Sequence, residues 1–215
     1  MAAAALHRMG RGAEIQRRFA DQPLAARVQR LLDQVGTPGT AALPETTSLG
    51  RWFDAAAGLL GVRAVMAYEG QAAMRLEGLA EGFGDLEPRT DGYRISSDGQ
   101  LDLLPLLDRL ADESDPAFGA ALFHATMAQA LAEWAGLEAR RSGLDCIALG
   151  GGCLLNQRLS RYLCRQLEGL GLRVLEARRL PPNDGGLSLG QAWVAIQSIQ
   201  AEDSNHVSRH TGPGR

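Results

Sequence analysis

Three successive glycines, Gly150, Gly151 and Gly152, end an apolar run that begins at Cys146, and Asn156 follows five residues after Gly151. Glycines at such a point let backbone N–H groups come close to an anion, and a helix beyond them adds the pull of its dipole. The same residues also serve a tight turn that carries no ligand, so the glycines alone leave phosphate binding and packing equally open. The Asn156 amide sets a donor and an acceptor beside the loop. Downstream, "PPNDGGLSLGQ" repeats the arrangement: Pro181 and Pro182 stiffen a turn, Asp184 stands at its tip, and Gly185 and Gly186 open the next helix. A carboxylate in that place either binds a metal or caps the helix. Two such loops at one sheet edge can share a ligand.

Competing chemistries fit less well. A dinucleotide fingerprint built on Gly150 and Gly152 needs a third glycine at position 155, which is Leu155, although Glu176 ends the next strand where a ribose-binding acid would stand. All 22 basic residues are arginine, which excludes a Schiff-base lysine and a P-loop lysine. The cysteines, Cys146, Cys153 and Cys164, are odd in number and fit no zinc spacing, so a reduced cytoplasm is expected. Cys153 has no base beside it in sequence and reads as packing. His206 and His210 have the i, i+4 spacing of a metal pair, but they lie in a polar tail behind the domain and are read as no site. His124 is either a satisfied core histidine or a site residue.

The elements that must hold these residues follow from hydrophobic spacing. Residues 1–35 read as one or two helices, with Leu24, Val28, Leu31, Leu32 and Val35 on one stripe and Pro23 in a first turn. A breaker cluster precedes "SLGRWFDAAAGLLG", a helix with Ser48 as N-cap and Gly61 just past its end. Trp52, Phe53, Ala56, Ala57 and Leu60 form its apolar face, which Asp54 interrupts. "YEGQAAMRLEGLAEG" is a second helix, "DGYRISSDGQ" a short strand or hairpin, and "LDLLPLLDRLADE" a helix with Pro105 in its first turn. The longest helix runs from the Asp115 cap to Gly143. Strand, glycine loop, helix and strand then make a βαβ-type unit, and a final helix follows the Asp184 turn. We therefore expect an α/β chain with a mainly helical part at 1–142, a βαβα part at 143–200 and a disordered tail at 201–215.

Composition narrows the partners. The 215-residue chain is 45% hydrophobic and carries a net charge of -3, which gives no electrostatic attraction to nucleic acid or an anionic membrane. Aromatic residues, at 5%, are too sparse for a base-stacking surface. No apolar stretch reaches the roughly 18 residues of a membrane span, and the basic residues follow the short N-terminal apolar run instead of preceding it as in a signal peptide.

"SLGRWFDAAAGLLG", "YEGQAAMRLE", "FHATMAQALA", "LGGGCLLNQRL" and "PPNDGGLSLGQA" together resemble, in order and spacing, the C-terminal part of the HypF family of carbamoyltransferases, which mature [NiFe]-hydrogenases. The resemblance covers about residues 2–200. It implies the second lobe of a Kae1-like domain, of the RNase H-like actin/sugar-kinase ATPase superfamily, with a helical N-terminal subdomain. It also implies an activity: carbamoyl-adenylate, made from carbamoyl phosphate and ATP, gives its carbamoyl group to the C-terminal cysteine of the partner maturation protein HypE. In nucleotide binding, Asp54 matches the acid that holds the ribose, Gly70 a backbone contact, and Gly151, Gly152 and Asn156 the nucleotide loop. Asp184 matches a metal-ligand aspartate; the ion is a divalent metal, Mg, Zn or Fe.

Three departures accompany the resemblance. The two histidines (HxxxH) of the family's metal site belong to a first half that is not in this sequence, so a separate chain carrying that first lobe is an expected partner. Leu49 interrupts the segment before Gly50 and Arg51, and Gly150 stands where serine is common. The alternative from another class is an inactive remnant or interaction module. Threonylcarbamoyl transfer to tRNA shares the fold, but "YEGQAA" and "PPNDGG" resemble the hydrogenase branch.

Overall fold

The computed structural model describes residues 1–34 and 45–210, with side chains to residue 199. The first segment forms three short helices, α1 (Ala2–Arg8), α2 (Ile15–Arg18) and α3 (Ala25–Asp33), the first two separated by a 3-10 turn at Gly12–Glu14. Pro23 is not in a helical first turn. It takes the second position of a β-turn in which the Ala25 N–H donates to the Gln22 carbonyl at 3.0 Å, with Leu24 at φ -97°, ψ 0°. Of the expected stripe, Leu32 is buried while Leu24, Val28 and Leu31 face solvent, and Val35 lies outside the described residues. Charge ties this segment down. The Arg11 guanidinium reaches Glu14 at 2.6 Å, Asp108 at 2.9 Å and Asp112 at 2.6 Å, and Arg18 reaches Glu14 at 2.7 Å. Hydrogen bonds from Arg11, then Arg18, hold the Glu14 carboxyl down to about 2.

Helix α4 (Leu49–Leu59) begins after Ser48, which occupies the cap position but makes no side-chain cap bond. It ends as the sequence indicates. Gly61 turns left-handed at φ 69°, and N–H groups of Gly61 and Val62 return to the carbonyls of Gly58 and Ala57. Helix α5 (Gln71–Phe83) starts later than Tyr68, because Gly70 adopts φ 78° and stops the helix there. A hairpin, β1 (Arg94–Ile95) with β2 (Leu101–Asp102), leads to α6 (Leu104–Ala111), with Pro105 in its first turn. Helix α7 (Pro116–Ser142) is capped by Asp115, whose Oδ1 accepts from the N–H groups of Ala117 at 2.9 Å and Phe118 at 3.3 Å, and ends at Gly143 with φ 65°.

Helix α7 is the axis of the core. Residues 119–128 are buried on every side, packed by α4, α5, α6 and α8. A helix apolar all round is stable only when neighbours enclose it. Its crossing with the end of α4 is close: a Cβ on Gly119 would overlap Leu60 Cδ2, and the Leu60 side chain would have to move.

The remaining part is β3 (Cys146–Leu149), a 3-10 turn at Gly152–Leu155, α8 (Gln157–Gly169), β4 (Arg173–Glu176), a 3-10 turn at Asp184–Gly186 and α9 (Leu187–His210). The two strands pair in parallel, with Ile147 opposite Val174 and Leu149 opposite Glu176. Ile147, Leu149 and Val174 pack against the core, while Ala148 and Leu175 face the other way and are exposed. Parallel strands are ordinarily covered on both faces. Here, among the described residues, the Ala148–Leu175 face is open. Helix α9 is likewise bare: Trp193 is 63% exposed, and Val194, Ile196 and Ile199 are also in solvent. The helix continues through His210, so residues 201–210 of the expected disordered tail are helical; the side chains of His206 and His210 lie outside the description. No helix among the described residues is long and apolar enough to cross a membrane.

Candidate functional site

The glycine turn and the Asp184 turn meet. The Gly151 N–H donates to the Pro182 carbonyl at 2.5 Å, and the position of a Cβ on Gly152 would lie 3.9 Å from Asn183 Cβ. Gly151 stands at φ 104°, ψ 157°, a conformation that only glycine holds without strain. Its N–H is spent on the neighbouring loop, so its role in the turn is to lock the two loops together. Asn183 caps the second turn by accepting from the Gly185 N–H at 3.1 Å. Asn183 therefore does the capping, and the hydrogen bond that would have explained Asp184 as a mere cap belongs to its neighbour.

The structure corrects one expectation about this loop. An anion at the N-terminus of α8 would need that helix's open N–H groups, and they are taken. Glu77 Oε1, from α5, accepts from the N–H groups of Gln157 at 2.6 Å and Arg158 at 3.3 Å. Asn156 Oδ1 accepts from Leu159 at 2.8 Å, and the Ser160 N–H makes the first intrahelical bond to the Asn156 carbonyl. A carboxylate of this protein already occupies the place where the helix dipole favours negative charge. The other end of the Asn156 side chain is also engaged, with Nδ2 3.0 Å from His124 Nε2, and the residue is 6% exposed. Asn156 thus holds the turn from beneath.

Asp54 stands on the other side of the turn. The N-terminal end of α4 abuts it, with a Cβ position on Gly50 only 3.7 Å from the Cys153 sulfur. Burial pushes the Cys153 thiol pKa up, and the charges of Arg51 and Asp54 both reach it. This is the thiol of a packing residue, not of a nucleophile. Asp54 lines a cavity of about 460 Å³ with Arg51, Arg63, Met66, Val28 and Phe19. Arg51 Nη1 forms an ion pair with Asp54 Oδ2 at 2.9 Å, and Oδ2 itself is buried. Arg63 Nε is buried without an acceptor. A carboxylate at a cavity wall can accept from the hydroxyl donors of a sugar.

Gly70 sits at the start of α5, beyond the 62–69 loop whose Arg63, Ala64 and Met66 border the same cavity. Nothing lies within 4 Å of where its Cβ would be, so its left-handed backbone alone calls for glycine. Asp184 belongs to no ready metal cluster: no group of three His, Cys, Asp or Glu side chains that could hold a metal gathers among the described residues. The three cysteines are free. Sequence reasoning missed Arg51, Arg63 and Glu77. Glu77 closes the segment "YEGQAAMRLE", but no local signal in the sequence joins it to the glycine turn.

Comparisons with known proteins identify the family. The family model for the second subdomain of the carbamoyltransferase Kae1-like domain of HypF matches residues 1–191. The chain is 50% identical over 223 aligned residues to carbamoyltransferase HypF2 of Cupriavidus necator, covering 92% of this chain and 27% of that protein. It is 44% identical to a carbamoyltransferase HypF homolog of the same organism, covering 94% of this chain and 53% of that one. It superposes with a TM-score of 0.70, at 30% identity, on full-length HypF in a phosphate- and nucleotide-bound crystal structure, covering 91% of this chain and 26% of that chain. The chain thus spans between about a quarter and a half of these relatives.

Proposed function

The chain belongs to the HypF carbamoyltransferase family, as the second subdomain of a Kae1-like domain, and from that premise we propose that it forms one wall of a nucleotide site for carbamoyl transfer. In this reading carbamoyl-adenylate, formed at the expense of ATP, lies between the Asp54 cavity and the joined glycine and Asp184 turns. Its carbamoyl group passes to the C-terminal cysteine of the partner maturation protein HypE, in the cytoplasm. Asp54 accepts from the ribose hydroxyls, Gly70 and Gly152 let backbone approach the nucleotide, and Gly151 and Asn156 hold the turn. The observation that carries the reading is the Asp54 carboxylate, ion-paired with Arg51 at the wall of a cavity of about 460 Å³, on the helix that packs against the glycine turn.

The residues present fit a divalent metal only as a shared site. Asp184 would supply one hard oxygen ligand, and the remaining ligands would come from the first subdomain. Such an ion would neutralise phosphate charge. The first subdomain is also the proposed partner of the exposed α9 face and of the open Ala148–Leu175 sheet face.

The test is transfer itself. The chain, paired with the first subdomain of a HypF protein, is supplied with carbamoyl-adenylate and a peptide ending in cysteine, and carbamoylation is read by mass spectrometry. Transfer should require both pieces and should fall about tenfold or more in Asp54→Ala, the loss of a charge-assisted hydrogen bond worth roughly 1.5–3 kcal/mol. A stable pair that neither transfers nor binds nucleotide would favour the reading as an inactive interaction module.

A further inference from the structure

Asn156 is held in place by a residue far from the turn. His124 lies in the first half of α7 and is fully buried. Its Nδ1 is 2.7 Å from the Ala120 carbonyl oxygen, one helical turn back. A carbonyl only accepts, so Nδ1 carries the ring hydrogen. Burial above all holds the imidazole pKa down to about 4, against the bond to the Ala120 carbonyl, with Arg158 from α8 adding to the lowering and Glu81 from α5 opposing it. The ring is therefore neutral near pH 7, and Nε2 presents a lone pair. Asn156 Nδ2, 3.0 Å away, must donate to it. With the amide nitrogen committed inward, Oδ1 is turned toward the Leu159 N–H at 2.8 Å.

The polarity of the whole relay is fixed from one end. Leu159 donates to Asn156, Asn156 to His124, and His124 to Ala120. Phe53 and Phe123 stand edge-on to the imidazole, each with ring centroids 5.6 Å away, and confine it. Asn156 in turn terminates the 3-10 turn Gly152–Leu155, its own N–H donating to the Cys153 carbonyl at 3.2 Å. If His124 could not accept, the Asn156 amide would lose the reason to face one way. A buried donor would be left unpaired, and the end of the glycine turn would be free to shift against α8.

We propose that His124 is a positioning residue for the nucleotide loop: as a neutral acceptor it orients the Asn156 amide, which pins the glycine turn to the start of α8. It touches no ligand. The inference rests on the nucleotide reading of that turn for its functional consequence, but not for its geometry.

Two variants separate positioning from simple packing. His124→Gln keeps an amide oxygen that can accept from Asn156; His124→Leu fills similar space without one. Both are made in the chain paired with the first subdomain. Amide hydrogen exchange is followed in the absence of nucleotide, and ATP affinity is followed by titration. In His124→Leu, exchange at Leu159 and across residues 151–156 should accelerate about tenfold, and ATP affinity should fall by a similar factor of about ten. His124→Gln should recover most of both. Equal losses in the two variants, or a loop exchanging at the wild-type rate in His124→Leu, would overturn the positioning role. Faster exchange with unchanged ATP affinity would overturn its functional consequence. A wild-type pair that binds no ATP would overturn the nucleotide reading, and loop exchange would still decide whether His124 holds the turn. Should His124→Leu not fold, ring-nitrogen NMR of the wild-type protein decides: a neutral ring protonated on Nδ1 supports the relay, and one protonated on Nε2 contradicts it.

Discussion

Helix α7 buries residues 119–128 on all sides, whereas α9 leaves Leu189, Trp193, Val194, Ile196 and Ile199 in solvent. Both helices are long, and both carry apolar residues around much of their circumference. The difference lies in what surrounds them. Four helices of the same chain enclose α7, while α9 follows a two-stranded parallel sheet that is itself covered on one face. Apolar content along a helix therefore says that a partner is needed, but not that the partner lies in the same chain. The chain's match to a second subdomain gives the bare region a proposed occupant, the first subdomain.

The contrast can be broken first at its buried end. Phe123 is fully buried and packs edge-on to Phe53 at 4.9 Å. Phe123→Ala should cost about 3–5 kcal/mol in urea unfolding. A loss near zero would mean that α7 is not the core's axis. Acid gives the next largest effect. The unfolded chain protonates His124 near its ordinary 6.5 while the folded chain resists until about 4, so the unfolded state binds more protons in that window and stability falls as pH drops through it. The full loss is about 3 kcal/mol by linkage, and His124→Gln should remove that slope. Glu14 acts in a separate window: its contribution is present above its ordinary 4.5 and is lost as pH falls toward about 2.

The exposed end should behave oppositely. Trp193→Ser should change the stability of the chain alone by less than about 0.5 kcal/mol. It should weaken association with the first subdomain by about 2 kcal/mol or more, as loss of a central aromatic anchor does, measured by titration calorimetry. A large loss of the chain's own stability would show that α9 is packed within this chain after all. The smallest expected effect is at a helix end. Asp115→Ala removes the α7 cap and should cost about 1 kcal/mol, read by thermal unfolding.

Much of the helical part is legible in the sequence because its signals are local. Asp115, Gly143, Pro105 and Gly61 punctuate helices through their own backbone and side-chain chemistry, and the structure puts them where those rules require. Pro23 suits a helix start and a turn equally, and the Ala25 N–H bond to the Gln22 carbonyl shows the turn. The glycine turn shows the same limit at the site. Its residues point to an anion at α8, but Glu77, on the neighbouring helix α5, already fills that place. Only tertiary packing brings a carboxylate from residue 77 to the N–H of residue 157. The pairing of Asn156 with His124 is likewise a long-range contact, and neither residue type announces it. Family resemblance supplied Asp54 as a candidate, and the structure adds what the sequence did not contain: its carboxylate is paired with Arg51 at the wall of a cavity, on the helix that abuts the turn.

The most direct test of the account is an ATP titration of the chain mixed with the first subdomain of a HypF protein, in the presence of a divalent metal. The account predicts one nucleotide site per pair, weakened about tenfold by Asp54→Ala and about as much by Asp184→Ala, in keeping with one lost ligand contact each. Binding that is absent from the assembled pair, or that both substitutions leave unchanged, would contradict it.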